Sequence, residues 1–369
     1  MAGTDRPSTD RVVRLGFAGD LLLGRKVSAA VVKGQPPTEM WGDLRPRMLA
    51  TDAVIANLET PITTHTVKWD KWKAFYFRSD PMIVESLKAG NIQCLSLANN
   101  HMVDHGSQGL LDTLRHLDAA GIARAGAGAN LDEAMEPTLF QAAQMTIGFI
   151  SITNTVRAFR ATADRPGTNF WKISTDQATV DRLAGQVSGL RSAGADLVVL
   201  SIHWGPNYRW WPPRHYQAFA RKAVDLGVDI VHGHSAHMLQ AVEFRGRGLI
   251  LYDTGDFVED MIVAPGFRSD HSCLFLVEAG PGIVPRLRMV PARLTLAKVN
   301  KAKGRDADTI RQYMIRRCRN FAVDLREEDG ELVATPPAGG IGAGGQAGHA
   351  APPTNPVAST SSTAKSSSR

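Results

Sequence analysis

The sequence predicts an α/β fold. Three observations carry the prediction: short β-branched or apolar runs that end abruptly in small and polar residues, amphipathic stretches between them that close in Gly, and the kinds of residue that stand at the run ends. Near-continuous apolar runs of this length suit strands buried on both faces. Strands alternating with helical patterns suit a sheet covered by helices.

In chain order, RLGFAGD runs to Asp20, DAVIANLE to Glu59 and IQCLSLANNH to His101. MTIGFISITN runs to Asn154 and has a less chemical end. DLVVLSIHWG reaches Gly205, DIVHGHSAH reaches His237 and LILYDTGD reaches Asp256. Helices are predicted between these runs. Asp80 to Gly90 carries Pro81 at an early helical position, where the missing N–H costs little. Ser107 to Gly121 sets Leu110, Leu111, Leu114 and Leu117 on one side. Ser174 to Gly194 is long and amphipathic, and Pro213 to Gly227 spaces Tyr216, Phe219, Ala220, Ala223 and Val224 as a buried helical face requires.

Composition bounds the class. The chain has 369 residues, room for one large domain or two. Its 43% hydrophobic and 21% charged residues are ordinary for a globular protein. The excess of 42 Lys+Arg over 36 Asp+Glu, a net +6, is spread along the chain and reads as surface charge, with no nucleic-acid partner expected. Part of it falls in Arg305 to Arg319, which reads as a basic helix face. Cys94, Cys273 and Cys318 are isolated, odd in number and without CxxC spacing, which argues against a disulfide framework and a Cys-ligated zinc site. The start, MAGTDRPSTDRVV, lacks a secretion signal's apolar core, and no apolar run reaches the roughly 18 residues of a membrane span. The expectation is a cytoplasmic protein with no integral membrane segment, with peripheral membrane association left open. From about Glu331 onward Pro, Gly, Ala and Ser dominate, as in segments that cannot bury enough surface to order themselves. His349 lies there and is given no role.

In α/β folds ligands bind beyond the carboxyl ends of the strands, and that is where the polar residues stand. A GxxxxGK[ST] loop, a GxGxxG after a strand and a GxSxG elbow are all absent, so the sequence gives no support to nucleotide or serine-hydrolase chemistry. Six of the eleven His, namely His101, His203, His232, His234, His237 and His271, fall in or beside the run ends. Carboxylate oxygens and imidazole nitrogens suit hard to borderline divalent metals, and Asp20, Glu59, Asn100, His203 and His237 supply them. A metal so held activates water and polarises a phosphoryl or carbonyl oxygen. His101 is then the candidate proton donor to the leaving group, and Asp104, one helical turn on, the candidate to orient its ring.

Each residue also has a bland reading. Asp20 can cap a turn, Glu59 can be a loop charge, Asn99 and Asn100 can be turn residues, and His203 with Trp204 can be a packed aromatic pair. His234 can be structural, and His232 reads as a core histidine. Asp253 and Asp256 flank a Gly turn and serve either the turn or the site. Arg268 and Asp270 are candidates for contact with an anionic substrate. Trp204, Tyr208, Trp210 and Trp211, and Trp69, Trp72, Phe75, Tyr76 and Phe77, read as cleft lining or lid packing. Lys68, Lys71 and Lys73 accompany the second group and suit a carboxylate- or phosphate-rich polymer.

Taken in order, GDLLLGR (Gly19 to Arg25), ANLETP (Ala56 to Pro61), LANNHMVDHG (Leu97 to Gly106), SIHWGPNY (Ser201 to Tyr208), HGHSAHMLQ (His232 to Gln240) and LYDTGDFV (Leu251 to Val258) resemble the bacterial capsule-synthesis proteins of the CapA, poly-γ-glutamate type. The resemblance spans about Val13 to Leu296. That family is similar to the calcineurin-like metallophosphoesterases, so the resemblance implies a four-layer α/β/β/α sandwich and a metal-dependent hydrolase holding one or two divalent ions of Mn, Fe or Zn. The implied bond is a phosphoester or a γ-glutamyl amide. The implied partners are an anionic polymer or phosphoester substrate and the capsule or poly-γ-glutamate synthesis machinery.

Residue by residue, Asp20 matches the first ligand Asp, and Glu59, with Asn57 beside it, stands at the bridging Asp. Asn100 matches the ligand Asn, His101 the catalytic His and His203 the single His after the next strand. His234 and His237 match the closing Gly-His motif. The departures are Leu22 in place of a His, Glu59 in place of Asp, and a closing motif one residue longer. They put a second metal in question and favour, as the alternative, a non-catalytic accessory protein of capsule or poly-γ-glutamate assembly. A tailoring enzyme for a small metabolite is a third reading. The organisation expected is a flexible stretch at 1–12, a CapA-like metallophosphoesterase-type domain at 13–325 and a disordered tail at 326–369.

Overall fold

The structure is a computed structural model that describes residues 11–69, 73–260, 266–334 and 336. The first strands, β1 (Val13–Leu21), β2 (Ala53–Leu58), β3 (Ile92–Ser96) and β4 (Ala123–Ala125), lie side by side and parallel in that order. The chain then leaves this sheet. After the short β5 (Ala127–Gly128), β6 (Thr138–Ala142) and β7 (Met145–Thr153) form an antiparallel pair, and β8 (Gly167–Thr168) pairs with β5. A second sheet grows on β7 by parallel addition of β9 (Leu197–His203) and then β10 (Ile230–His234). The antiparallel pair β11 (Val242–Arg245) and β12 (Gly248–Leu251) completes it, with β12 parallel to β10. The chain returns to the first sheet with β13 (Asp256–Val258), parallel to the end of β1, and β14 (His271–Ala279), antiparallel to β1. Then come β15 (Arg286–Thr295), β16 (Lys298–Lys301), β17 (Leu325–Glu328) and β18 (Glu331–Ala334).

Strand periodicity explains how the two sheets and the helices pack, because successive side chains point to opposite faces. Phe17, Ile55 and Cys94 of the first sheet share one buried cluster with Phe149, Val199 and Leu251 of the second. Their neighbours in sequence face the other way. Val54 and Leu95 meet Ile83, Leu87, Leu110 and Leu117 from the helices Ile83–Ala89 and Gly106–Ala119. Val198 and Leu200 meet Leu183, Val187, Phe219 and Ala223 from the helices Gln177–Ser192 and Arg214–Asp225. Each buried Leu, Ile or Phe contributes about 1.5–3 kcal/mol by leaving water, so both faces of each sheet are held mainly by apolar burial.

The α/β class read from the sequence is borne out, and the four predicted helices are present within a few residues of their expected ends. Three details differ. The LILYDTGD run is not one strand: β12 belongs to the second sheet and β13 to the first. Asp253 makes the break, its Oδ1 accepting from Gly255 N at 2.9 Å and its Oδ2 from Ala236 N at 2.7 Å, while Gly255 takes φ +69°. The first sheet runs on through β18 to Ala334, past the 325/326 boundary, because Leu325, Leu332 and Ala334 pack into the cluster between the sheets. The helix Gly304–Arg319 is not wholly a basic face, since Arg317 is only 2% exposed.

The three cysteines are free and buried. Among the described residues no helix is long and apolar enough to cross a membrane. The expectations for residues 1–10, Lys71, Trp72, His349 and the Gly/Pro-rich end lie outside the described residues.

Candidate metal centre

The carboxyl ends of β1, β2, β3, β9 and β10 and the start of β13 converge on one buried polar cluster. Two glycines make the approach of these segments possible. A Cβ on Gly19 would lie 1.7 Å from the Gly255 carbonyl oxygen, and a Cβ on Gly233 would lie 2.0 Å from that of Tyr252. The residues just before Asp20 and His234 must therefore be Gly, because another backbone passes over each. The pairing register of β1 shifts between Phe17 and Asp20 and again between Asp20 and Leu21, an irregularity that re-aims the strand end.

Asp20 is the hub. Its Oδ1 accepts from Asn57 Nδ2 at 2.7 Å and its Oδ2 from Ser235 N at 3.1 Å. Oδ1 lies 3.5 Å from His234 Nδ1 and 3.8 Å from His203 Nδ1, and Oδ2 lies 3.6 Å from His237 Nδ1. Ligand-type atoms of Asp20, His203 and His234 all fall within 4.8 Å of one another, and so do those of Asp20, Glu59 and His237. The two groups share Asp20, whereas the resemblance gave the bridging place to Glu59. Asn100 joins through Oδ1, 2.7 Å from His203 Nε2. The residue inserted in the closing motif is absorbed by left-handed backbone, with φ +105° at Ser235 and +56° at His237. Strained backbone of this kind persists only where its surroundings enforce it, and here it lets both His234 and His237 reach Asp20.

Glu59 is fully buried, and among the described residues neither of its carboxylate oxygens has a hydrogen-bond partner. Oε1 lies 3.6 Å from His203 Nε2 and 3.9 Å from His101 Nε2. Burial, reinforced by Asp20 and Asp256, holds the Glu59 carboxyl well above the usual range. Burial also raises Asp20 to about 7, against the pull of His237, and pushes Asp256 up. His203 and His234 are pushed down, again chiefly by burial. Carboxylates that resist ionisation beside imidazoles that resist protonation form a pocket deficient in positive charge, of the kind a divalent cation would complete. The oxygen and imidazole donors match such an ion.

His101 stands at the edge of this cluster. Its Nδ1 lies 2.6 Å from Asp104 Oδ2, and burial lowers it to about 4 despite Asp104. Lys73 Nζ lies 3.3 Å from the same Nδ1, but Asp104 is the much shorter partner and a carboxylate only accepts, so Nδ1 carries the hydrogen and Nε2 faces Glu59. Phe77 packs edge-on against the His101 ring at 4.5 Å, and Phe77 N donates to Asp104 Oδ2 at 2.8 Å. Lys73 Nζ donates to Asp104 Oδ1 and, at 2.6 Å, to Asn100 O.

The remaining expectations divide. His232 is a core residue, held between Ser201 Oγ and Ala18 O and packed on Phe17. Trp204 is also core, stacked on Tyr216 at 4.9 Å with Nε1 donating to Tyr252 O. Tyr208 lies 6.0 Å from the His237 ring, at the site. Asp253 serves the turn, and Asp256 reaches the site, with Oδ1 2.7 Å from His237 Nδ1. Arg268 is not poised for a substrate: it is engaged by Asp270 and Asp306. The part played by Lys73 was not foreseen. Its only signal was a Lys among aromatics, which read as surface attraction.

The family model for bacterial capsule synthesis protein PGA_cap matches residues 14–261. The chain belongs to the PGA_cap family. Among PGA_cap relatives, the probable polyglutamine synthesis accessory protein of Mycobacterium tuberculosis H37Rv is 33% identical over 303 residues, 79% of each chain. The PGA biosynthesis protein CapA of Bacillus subtilis is 28% identical over 333 residues, 88% of this chain and 83% of that one. The solved sulfate thiohydrolase SoxB of Thermus thermophilus covers 80% of this chain and 46% of its own at 13% identity, with a TM-score of 0.39, too loose a likeness to carry an argument.

Proposed function

We propose that this PGA_cap protein is a metal-dependent hydrolase that acts in capsule or poly-γ-glutamate synthesis or processing, on a phosphoester or γ-glutamyl amide bond. The observation that carries the reading is Glu59, a buried carboxylate with neither oxygen hydrogen-bonded among the described residues, in one of two groups of ligand-type atoms that share Asp20. Asp20, Glu59, Asn100, His203, His234 and His237 would hold one or two ions of Mn, Fe or Zn, with Asp20 common to both groups. Bound ions supply Lewis acidity and lower the pKa of water.

The rest is the work of the chain. With the Nδ1 hydrogen fixed on Asp104, the lone pair of His101 Nε2 would first take up a proton and then deliver it to the leaving group. The packing of helices outside two facing sheets supports the four-layer α/β/β/α reading and a single domain from residue 13 through Ala334. A cytoplasmic location and a polyanionic substrate belong to the same proposal.

A second reading, a non-catalytic accessory protein, is favoured by the name of the mycobacterial relative, a probable polyglutamine synthesis accessory protein, and by Leu22 in place of a ligand His. The deciding experiment is elemental mass spectrometry on protein purified without chelators, wild type against Glu59→Gln and His237→Ala. It is paired with turnover of bis(p-nitrophenyl) phosphate and γ-glutamyl oligomers by wild type and His101→Ala. Metal lost in the first two variants and turnover lost in the third support the hydrolase. Metal without turnover supports the accessory role, and no metal even after reconstitution overturns both the centre and the mechanism.

A further inference from the structure

The geometry points to Lys73 as the residue that positions the proton donor and ties it to the metal-ligand segment. Its side chain is 8% exposed, low for a lysine that sequence alone reads as surface. The ammonium lies against His101 itself, with Nζ 3.3 Å from Nδ1, and directs its shorter hydrogen bonds to the neighbours of that ring. One goes to Asp104 Oδ1 and one, at 2.6 Å, to the backbone oxygen of Asn100. The Phe159 ring, 5.0 Å away, closes another side of it.

Asp104 therefore has three donors on two oxygens: Lys73 on Oδ1, and Phe77 N and His101 Nδ1 on Oδ2. Lys73 on Oδ1 opposes rotation of the carboxylate, so that Oδ2 stays where it fixes the Nδ1–H tautomer of His101. The same ammonium grips the backbone of Asn100, whose side chain touches His203. One cation thus sets the register between the ligand Asn100 and the donor His101, which are adjacent in sequence but differ in task. Positioning of this kind matters because misplacement of a donor by about 1 Å can cost about 100-fold in rate.

The kinetic arm of the test rests on the hydrolase reading; the spectroscopic arm does not. The variants are Lys73→Met, Lys73→Gln (which keeps a donor without the charge) and Lys73→Cys alkylated with 2-bromoethylamine, which rebuilds the ammonium. The ring nitrogens of His101 in metal-free protein are followed by ¹⁵N NMR. Wild type should show the Nδ1–H form, Lys73→Met should lose that preference, and the alkylated variant should regain it. In kinetics, Lys73→Met should lose about 100-fold on an alkyl phosphoester, whose leaving group needs a proton, and no more than about 3-fold on a p-nitrophenyl ester, which does not. Equal losses on the two esters, or an unchanged His101 tautomer, overturn the proposal. If wild type turns over neither ester, the hydrolase reading fails, and the NMR result alone decides the role of Lys73.

Discussion

Asp20 and Asp256 stand opposite one another in the parallel pairing of β1 with β13, both buried, with His237 Nδ1 2.7 Å from Asp256 Oδ1 and 3.6 Å from Asp20 Oδ2. Asp256 thereby orients a candidate ligand. Carboxylates in that position usually govern metal affinity by about 10–100-fold. Asp256→Asn should weaken binding of Mn or Zn by about that factor while leaving the fold intact. Titration calorimetry on wild type and variant checks it, and equal affinities would remove Asp256 from the centre.

Glu59→Gln should separate stability from binding. A buried carboxylate without partners opposes folding, and its neutral amide isostere opposes it less. The metal-free variant should therefore melt above metal-free wild type, by about 2–4 °C for each kcal/mol relieved. Addition of metal at about 100 times its Kd should stabilise wild type by about 2.7 kcal/mol and the variant far less. Scanning calorimetry with and without metal reads both effects. A variant that melts below apo wild type, yet still gains fully from metal, contradicts the assignment.

Gly19→Ala should fail to build the site. A methyl group 1.7 Å from the Gly255 carbonyl oxygen forces β13 away from β1, and Asp256 moves with it. The expected result is low soluble yield or a loss of more than about 3 kcal/mol, as for other severe steric insertions. Near-wild-type urea unfolding would show that the strands separate easily.

Acid should reveal the network that captures Arg268. Its bond to Arg268, aided by His271, holds Asp306 down at about 2, against burial and below the ordinary 3.8. The folded value lies below the unfolded one, so this contribution is full above about pH 4 and disappears as pH falls toward 2. The side chain is 36% exposed, so the effect is modest. Asp306→Asn should flatten the acid limb of the urea midpoint in that window, and parallel limbs for the two proteins would argue against it.

The strand ends were legible because chemistry and periodicity coincide there. Val198 and Val199 must face opposite layers, and whatever follows them in the chain must leave the sheet. His101 and Asp104 were legible because their spacing alone brings them together. What the sequence withheld depends on distant segments. Lys73 is buried only because Phe159 and Asp104 close around it, and Arg268 is neutralised by Asp306 from a separate helix. LILYDTGD reads as one run because a break made by the side chain of Asp253 leaves no mark on apolar periodicity. Trp204 read equally as cleft lining or as packing because its partner, Tyr216, lies on the following helix.

The parallel pairing of β1 with β13 also sets when the centre can exist. During synthesis Asp20 emerges early and Asp256 late. At about 5–20 residues per second the interval is on the order of 10–50 s. Through that interval the nascent chain carries single ligands without a common pocket, and any ion they hold is bound weakly and exchanges freely. The common pocket can form only after the ribosome has passed Asp256, so occupancy of the site would report a chain translated beyond that residue.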